Sequence, residues 1–185
     1  NVKDPEQLAY CGVRSDEWTP IDYSEYRALR DSGAAFSDCL AQEISTWSRA
    51  TVVHGNSTRH VQAKYVSSNY FSVLGGVPVR GRGFLPEEER AGGAPVVVLS
   101  HRCWRWLGSD PNLVGQFLSV NGTRCQVVGI APEGFTGVEL VGSHLWLPLG
   151  SFNAVSKSAR EPFLDLVGRL KRGLTMSVAQ TQLQP

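Results

Sequence analysis

Three short stretches of the sequence contain residue types that catalytic and nucleotide-binding sites use. Residues 69–84, NYFSVLGGVPVRGRGF, carry four glycines and two arginines behind a short apolar run, a composition found in loops that bind phosphate through the backbone. Ser100 is followed directly by His101, which places a nucleophile beside a base. Residues 87–89 are three consecutive glutamates, and paired carboxylates perform acid–base chemistry in many enzymes.

The glycine-rich stretch departs from both common nucleotide-binding motifs. GRGFLP, residues 81–86, is not G-x-G-x-x-G, because Pro86 stands where the third glycine belongs and no long helix begins there. No G-x-x-x-x-G-K-S/T run occurs anywhere in the sequence, so a Walker-type ATP site is excluded. We interpret the glycines as turns of the backbone, because glycine has no Cβ to obstruct a sharp change of direction.

Ser100 and His101 do not form the nucleophile and base of a hydrolase in this interpretation. Neighbouring helical side chains point about 100° apart, and no G-x-S-x-G elbow surrounds Ser100. Ser100 instead suits the N-cap of a helix. A hydrolase remains an alternative that requires His54, His60 or His144 to orient the Ser100 hydroxyl in a cleft.

Two further motifs are assigned structural roles rather than catalysis or nucleic-acid binding. The glutamates 87–89, followed by Arg90, predict a solvated loop. Residues 104–106, Trp-Arg-Trp, would suit base stacking, but we predict a helix that buries one indole. The 18 basic and 17 acidic side chains give a net charge of +1, so no basic stripe marks a nucleic-acid partner.

Metal and cofactor sites are not indicated by the sequence. The four histidines are scattered, and Cys11, Cys39, Cys103 and Cys125 form no CxxC or Cys/His pair at metal-ligand spacing. Four thiols allow three fully paired disulfide connectivities, among which spacing does not choose. Cys103 and Cys125 lie in apolar segments and equally suit buried free thiols. We therefore predict no catalytic residues, no metal ligands and no cofactor.

The elements that would position these residues are helices, strands and hairpins in mixed order. The predicted helices cover residues 22–32, 34–43 and 69–74, the segment after Ser100, and an amphipathic segment after Thr175. Asp22 and Glu25 form a capping box for the first helix, and Ser67 or Ser68 is expected to cap the third.

The predicted strands cover residues 47–53, 60–66, 95–99, 144–149 and 163–173. In 60–66, Val61, Ala63 and Tyr65 alternate with polar residues, which is typical of a half-buried strand. The clearest hairpin turns at Asn121-Gly122, the residue pair of a type I′ turn. Because strands and helices do not strictly alternate, the sequence predicts an α+β fold rather than a doubly wound sheet.

The length of 185 residues and the 42% hydrophobic content suffice for one core or two small ones. No window approaches the ~20 consecutive apolar residues of a membrane span, and residues 1–10 lack the features of a signal peptide. The first residue is not methionine, so an excised segment of a longer protein stays open.

The order of the segments resembles a known family. NYFSVLG, GRGF, APVVVLSHRCW, DPNLVGQFLSVNG, QVVGIAPEGF, LWLPL and VGRLKRG follow one another over about residues 22–183. This order resembles the MacB-like periplasmic core domain of ABC-transporter permeases in the MacB/FtsX group, especially orphan permeases without an ATPase on the same chain. Gly76 is an extra glycine beside Leu74-Gly75, and the four cysteines are not part of the pattern.

The resemblance implies a porter-like α/β subdomain with a small inserted α/β subdomain. Residues 1–74 and 153–185 would form the porter-like part, and residues 75–152 the insertion. In the full-length protein a membrane helix would precede Asn1 and others would follow Pro185. The family's location outside the cytoplasm permits oxidation, and Cys11 with Cys39 is the pair that we predict.

The resemblance also implies a function. The chain would be a non-enzymatic extracytoplasmic domain on the periplasmic side of the bacterial inner membrane, transmitting conformational change for export or related tasks. Its expected partners are the membrane helices of the parent chain, a separate cytoplasmic ATPase, and a dimer mate or a periplasmic adaptor protein. The sequence does not identify an exported substrate. The alternative is a secreted ligand-binding or sensing module, which would have a deep apolar pocket with convergent polar groups.

Overall fold

The computed structural model describes residues 2–171 apart from residue 12 and the ranges 15–16, 19–20, 34–35, 45–47 and 140–141. The predicted amphipathic helix after Thr175 lies outside the described residues. Strands and helices are mixed along the described chain, and the fold is α+β, as predicted. No helix in this part of the chain is long and apolar enough to cross a membrane.

The described residues form twelve strands. Their bounds are β1 (Leu8–Cys11), β2 (Val13–Arg14), β3 (Glu17–Trp18), β4 (Phe36–Glu43), β5 (Ser48–His54), β6 (Ser57–Val66), β7 (Arg80–Gly81), β8 (Val96–Leu99), β9 (Phe117–Val120), β10 (Thr123–Ile130), β11 (Leu145–Pro148) and β12 (Leu164–Leu170).

The helices in the same part of the chain are short. They are α1 (Tyr23–Ser32), α2 (Tyr70–Leu74), α3 (Pro86–Glu89), α4 (His101–Trp106) and α5 (Phe152–Ser156), with 3-10 turns at Pro5–Gln7 and Leu149–Ser151.

Six strands form a closed ring. Hydrogen-bonded pairing runs from β5 through β6, β11, β8, β10 and β9, and β9 pairs again with β5. Strands β6 and β11 are parallel, as are β8 and β10, whereas β5–β6 and β9–β10 are antiparallel hairpins. Strands β4, β12 and β1 extend the sheet beyond β6, through the pairing of Gln42 with Val66.

Two buried clusters lie on opposite faces of the ring's strands. Every ring strand contributes to the first cluster, through side chains such as Val52, Val61, Val97, Val120, Val127 and Leu147. In β8 and β11 the alternate residues Val98 and Trp146 enter the second cluster, where they meet α2. Because successive strand residues face opposite sides, β8 and β11 are buried on both faces and consist of apolar residues throughout.

The predicted capping box of α1 and the predicted turns of the two hairpins are formed. Asp22 Oδ1 accepts from the N–H of Glu25 at 2.9 Å, and Glu25 Oε2 accepts from the N–H of Asp22 at 3.0 Å, so the capping box is formed. The turn between β9 and β10 places Asn121 at φ +51° and Gly122 at φ +79°, the positive values of a type I′ turn. The turn between β5 and β6 also lies within its predicted segment.

The helix predicted over residues 34–43 is wrong, because residues 36–43 form strand β4. This strand pairs with β12 along its length and with β6 at its end. Residues 39–43 are all buried, which is typical of a strand covered on both faces. The tertiary pairing decides the conformation here, since the local sequence lacks the alternation that indicates a strand.

The predicted caps of α2 and the predicted exposure of β6 also need correction. Neither Ser67 nor Ser68 is the N-cap of α2; Asn69 takes that position, and the backbone N–H of Tyr70 donates to the carbonyl of Ser67 at 3.1 Å. In β6, Lys64 is buried rather than exposed, with its Nζ 2.5 Å from Glu139 Oε1. A carboxylate partner permits a buried ammonium group.

Candidate functional site

The glycine-rich segment after α2 shapes the backbone. A Cβ on Gly76 would overlap the ring of Phe135. Gly81 has φ +71°, and a Cβ there would overlap the carbonyl oxygen of Val128 in the neighbouring strand. Both positions require glycine. Gly76 allows the close approach of Phe135, and Gly81 allows both the close approach of Val128 and a positive φ. These contacts agree with the interpretation of the glycines as backbone turns.

The prediction of a solvated loop at residues 87–89 is wrong, because Glu88 and Glu89 are buried. Glu88 Oε2 accepts from the N–H of Leu85 at 2.7 Å and thereby caps helix α3. The guanidinium of Arg82 donates to both Glu88 oxygens, at 2.7 and 3.0 Å, which is a bidentate ion pair. Adjacent acidic residues predict exposure, but Arg82 and the N–H of Leu85 stabilise the buried carboxylate of Glu88.

Glu89 connects α3 with α1 and with the start of α2. Its Oε2 accepts from the N–H and the hydroxyl of Ser68, and its Oε1 accepts from the hydroxyl of Tyr23 at 3.0 Å. Arg30 of α1 lies 3.6 Å from the same Oε1. Burial, and then the adjacent carboxylate, raises the pKa of Tyr23 to about 12. Through these contacts the carboxylate holds α1, α3 and the start of α2 together.

Ser100 is the N-cap of α4, as predicted. Its Oγ accepts from the N–H of Cys103 at 3.0 Å, and its own N–H donates to the backbone carbonyl of His144 at 2.9 Å. No histidine nitrogen bonds the Ser100 hydroxyl among the described hydrogen bonds. His144 Nδ1 instead accepts from the N–H of Gln62 at 3.1 Å. The hydrolase alternative therefore lacks the oriented base that it requires.

A groove of about 650 Å³ lies between α4 and residues 132–136 and 142–144. Its lining includes Arg102, Arg105, Trp106, Glu133 and His144. The volume falls in the range of sites that bind small molecules, about 300–1,000 Å³. We name this feature the α4 groove, and its charged lining distinguishes it from the deep apolar pocket of the ligand-binding alternative.

Trp106 organises the side chains of the α4 groove. Its indole stacks on the imidazole of His144, with centroids 4.7 Å apart and planes at 28°. The guanidinium carbons of Arg102 and Arg59 lie 4.6 and 5.6 Å from the centre of the Trp106 ring. Arginine packs well on aromatic faces because the ring quadrupole attracts the cation.

The state of the His144 imidazole follows from its surroundings. Partial burial, and then the nearby charge of Arg102, lowers its pKa below the ordinary histidine range. The ring is therefore neutral near pH 7. Since Nδ1 accepts from Gln62, the single ring proton belongs on Nε2, which makes that nitrogen a donor.

The sequence placed Trp104 and Trp106 on a helix but did not predict the groove. Both indoles are partly buried against the first core cluster, so the expectation of one buried indole is wrong. Trp104 Nε1 donates to the carbonyl of Asp110 at 2.8 Å, whereas Trp106 faces the groove. Nothing local signals that His144 and Arg59 meet Trp106, because each lies on a different segment of the chain.

Cys103 and Cys125 are buried free thiols, which is one of the two alternatives that the sequence leaves open for them. Burial raises the pKa of Cys103 to about 12 and that of Cys125 to about 11. A thiol that does not ionise near neutral pH is a poor nucleophile and a poor metal ligand. Among the described residues, no three His, Cys, Asp or Glu side chains gather as a metal site.

The predicted Cys11–Cys39 disulfide stays a prediction, because the side chain of Cys11 lies outside the described residues. The two residues belong to β1 and β4, which lie on opposite sides of β12. Cys11 pairs with Leu166 and Cys39 with Gly168. Two inter-strand spacings amount to about 10 Å, whereas disulfide-bonded cysteines have Cα atoms within about 7 Å. The bond would therefore require β1 to move.

The fold is similar to solved domains of ABC transporters. One is the periplasmic region of MacB from Actinobacillus actinomycetemcomitans, with a TM-score of 0.72 and 16% identity over 91% of this chain and 73% of that chain. Another is the extracellular domain of the noncanonic ABC-type transporter YknZ from Gram-positive bacteria, with a TM-score of 0.69 and 14% identity over 93% of this chain and 86% of that chain.

A domain of a putative permease protein from Porphyromonas gingivalis also matches, with a TM-score of 0.70 and 9% identity over 99% of this chain and 83% of that chain. None of the curated proteins matches the sequence. At these identities the structural likeness shows the fold. Residues 3–185 match the family described as MacB-like periplasmic core domain, which covers nearly the whole chain. The chain therefore belongs to the MacB-like periplasmic core domain family of ABC-transporter permeases, the family that the order of its sequence segments predicted.

Proposed function

We propose that this chain is a non-enzymatic extracytoplasmic domain that transmits conformational change from the membrane helices of its parent permease. Membership of the periplasmic core domain family supports the general role. The observation that carries the finer proposal is the joining of the two ends of the domain at β1 and β12. If the membrane helices move the domain through the segments before β1 and after β12, these two segments must be joined so that the domain moves as one body.

Strands β1 and β12 are antiparallel, with Leu8 opposite Arg169. The chain therefore enters β1 beside the place where it leaves β12. The guanidinium of Arg169 reinforces this end of the sheet. It donates to the carbonyl oxygens of Lys3 and Val73, both at 2.7 Å, and to that of Asp4 at 3.3 Å. Hydrogen bonds from a charged donor are stronger than neutral ones, so this arrangement supports joint movement of both ends.

Transmission also requires that the two proposed subdomains, residues 1–74 with 153–185 and residues 75–152, move together. Strand β6 of the first pairs with β11 of the second over Ala63–Val66, and β5 pairs with β9. Glu89 of the second subdomain binds Ser68 and Tyr23 of the first. These contacts support a rigid body that shifts as a unit, the behaviour expected of a coupling domain.

The proposal places the domain on the periplasmic side of the bacterial inner membrane. The energy would come from a separate cytoplasmic ATPase, the partner that membership of an ABC-transporter permease family supports. The domain would transmit the movement to a dimer mate or to a periplasmic adaptor protein.

The experiment that tests this proposal replaces Arg169 by Gln in the parent permease, reconstituted with its ATPase. We expect the variant to bind the ATPase normally but to change the ATP turnover of the complex, because the outer domain no longer holds both ends. Arg160→Gln, an exposed arginine in the loop before β12, is the matched control. Equal turnover in the two variants and the wild type would contradict the proposal.

One observation favours the second candidate function, a ligand-binding or sensing module, and that observation is the α4 groove. Its size suits a ligand. Its lining is charged and aromatic, whereas the alternative predicts a deep apolar pocket, so the groove favours a polar ligand. A sensing module and a coupling domain are compatible if the ligand acts on the permease.

A further inference from the structure

We propose that the α4 groove is a binding site for a carboxylate or phosphate group. This inference goes beyond the proposed coupling function and does not depend on it. It rests on an excess of cationic side chains and hydrogen-bond donors at one cavity, in a chain whose net charge is only +1.

The first observation is that two arginines meet on one indole without a carboxylate. Arg59 and Arg102 both stack on Trp106. Within the described part of the chain, no Asp or Glu oxygen lies within 4.0 Å of either guanidinium. Two like charges held near one ring repel each other. Arg102 lines the α4 groove, and an anion bound there would offset this repulsion.

Other arginines of the chain show the contrasting arrangement. Arg82 is bound in a bidentate ion pair with Glu88, and Arg30 lies beside Asp31 and Glu89. Arg80 on Trp104 and Arg124 on Phe117 also stack without a carboxylate within 4.0 Å among the described residues, but neither lines the α4 groove. The indole fixes the orientation of the Arg102 side chain, which lines the groove, and leaves its N–H groups available to an oxyanion.

The second observation is that neutral donors stand beside these cations. His144 lies against Trp106 and lines the groove, with its proton assigned to Nε2. Ser100 and Ser143 also line the groove. An oxyanion is bound well where charged and neutral donors converge, and this lining supplies both kinds.

The third observation concerns the acid of the groove. Glu133 is 73% exposed at its side chain and lies 3.9 Å from Arg105 and 3.7 Å from His101. These separations are those of loose surface contacts, which contribute little to stability. The carboxylate of Glu133 is therefore only loosely paired at the rim, and we expect a ligand anion to compete with it for Arg105.

The experiment records the indole N–H resonance of Trp106, assigned with Trp106→Phe, while inorganic phosphate is added to the chain at constant ionic strength. Sodium chloride is the reference titration. A second arm measures co-sedimentation with phosphatidylglycerol vesicles and with phosphatidylcholine vesicles. A shift with phosphate alone supports a soluble anion as ligand, whereas preferential sedimentation with phosphatidylglycerol supports a lipid headgroup.

Variants locate the binding. We expect Arg102→Gln to weaken it about tenfold or more, because it removes a charge-assisted interaction. Arg124→Gln is the matched control, since Arg124 also stacks on an aromatic ring, that of Phe117, but lies at the β9–β10 hairpin. An unchanged thermal transition of Arg102→Gln checks folding, and Arg105→Gln serves as second variant if the first is unstable. The proposal is overturned if neither phosphate nor phosphatidylglycerol binds, or if binding survives both groove variants.

Discussion

Ser68 donates twice to one oxygen of Glu89, through its backbone N–H at 2.6 Å and its hydroxyl at 2.5 Å. Ser68 precedes α2, and Glu89 ends α3, so this pair joins elements assigned to different subdomains by the family resemblance. Tyr23 of α1 completes the contact from a third element. The relative position of α1, α2 and α3 therefore depends in part on one buried carboxylate.

Removal of this carboxylate should destabilise the chain strongly. Glu89→Ala leaves the N–H of Ser68 and the hydroxyl of Tyr23 without their acceptor, and we expect a loss of about 3 kcal/mol. Denaturant titration measures the free energy of unfolding. Glu87→Ala, at the exposed neighbour on the same helix, is the control and should change it by no more than about 0.5 kcal/mol. Equal effects of the two substitutions would refute the structural role of Glu89.

The hairpin between β9 and β10 provides a second prediction. Asn121 has positive φ, its Oδ1 accepts from the N–H of Thr51 at 2.8 Å, and its Nδ2 donates to the carbonyl of Val155 at 3.2 Å. Asn121→Ala should destabilise the fold by about 2 kcal/mol, because it adds backbone strain and removes both hydrogen bonds. Asn112→Ala in an exposed turn is the control. Melting temperatures that coincide for the two variants would show that the turn contributes little.

The pH dependence of stability should report His144. Its pKa is lowered by burial and by Arg102, so the unfolded chain binds the proton more readily than the folded chain. Neutral His144 therefore makes its full contribution to the free energy of unfolding above the unfolded-chain histidine pKa of about 6.5. This contribution is lost as the pH falls below that value. Arg102 keeps its charge throughout this range.

We expect His144→Gln to show a shallower loss of melting temperature between about pH 6.5 and 5. His54→Gln, at the turn between β5 and β6, is the control and should keep the wild-type slope. A variant at His144 that follows the wild-type curve would exclude this histidine as a source of the acid sensitivity.

The two buried free thiols should be unreactive in the folded chain. The raised pKa values, about 12 for Cys103 and about 11 for Cys125, leave almost no thiolate at pH 8. Alkylation followed by peptide mass analysis should label both residues only after unfolding. Rapid labelling of either residue in the folded chain would place it at the surface, contrary to the structure.

Local signals account for the parts of the fold that the sequence predicted. The Asp22–Glu25 capping box and the Asn121-Gly122 turn depend on residues that are neighbours in the chain, and both are formed. Strand β4 was mistaken for a helix because its conformation depends on pairing with β12, more than a hundred residues later. Local propensity cannot contain that information.

The same distinction explains why the α4 groove was not predicted. Trp106 was recognised as a helical aromatic residue, but its neighbours Arg59 and His144 come from β6 and from the segment before β11. Glu89 was assigned to a solvated loop because adjacent acids are usually exposed. Its burial depends on Ser68 and Tyr23, which only the folded chain brings together.

The movement of the domain during ATP turnover tests the central claim most directly. A fluorophore at the exposed Arg124 and acceptor lipids would report the distance to the membrane in the reconstituted permease and ATPase. A label pair at Ser37 and Arg124 would report the distance between the two proposed subdomains, since both side chains are exposed. The account predicts that ATP changes the first distance and leaves the second constant. A first distance that stays constant while ATP is hydrolysed, or a second distance that changes, would contradict transmission by a rigid domain.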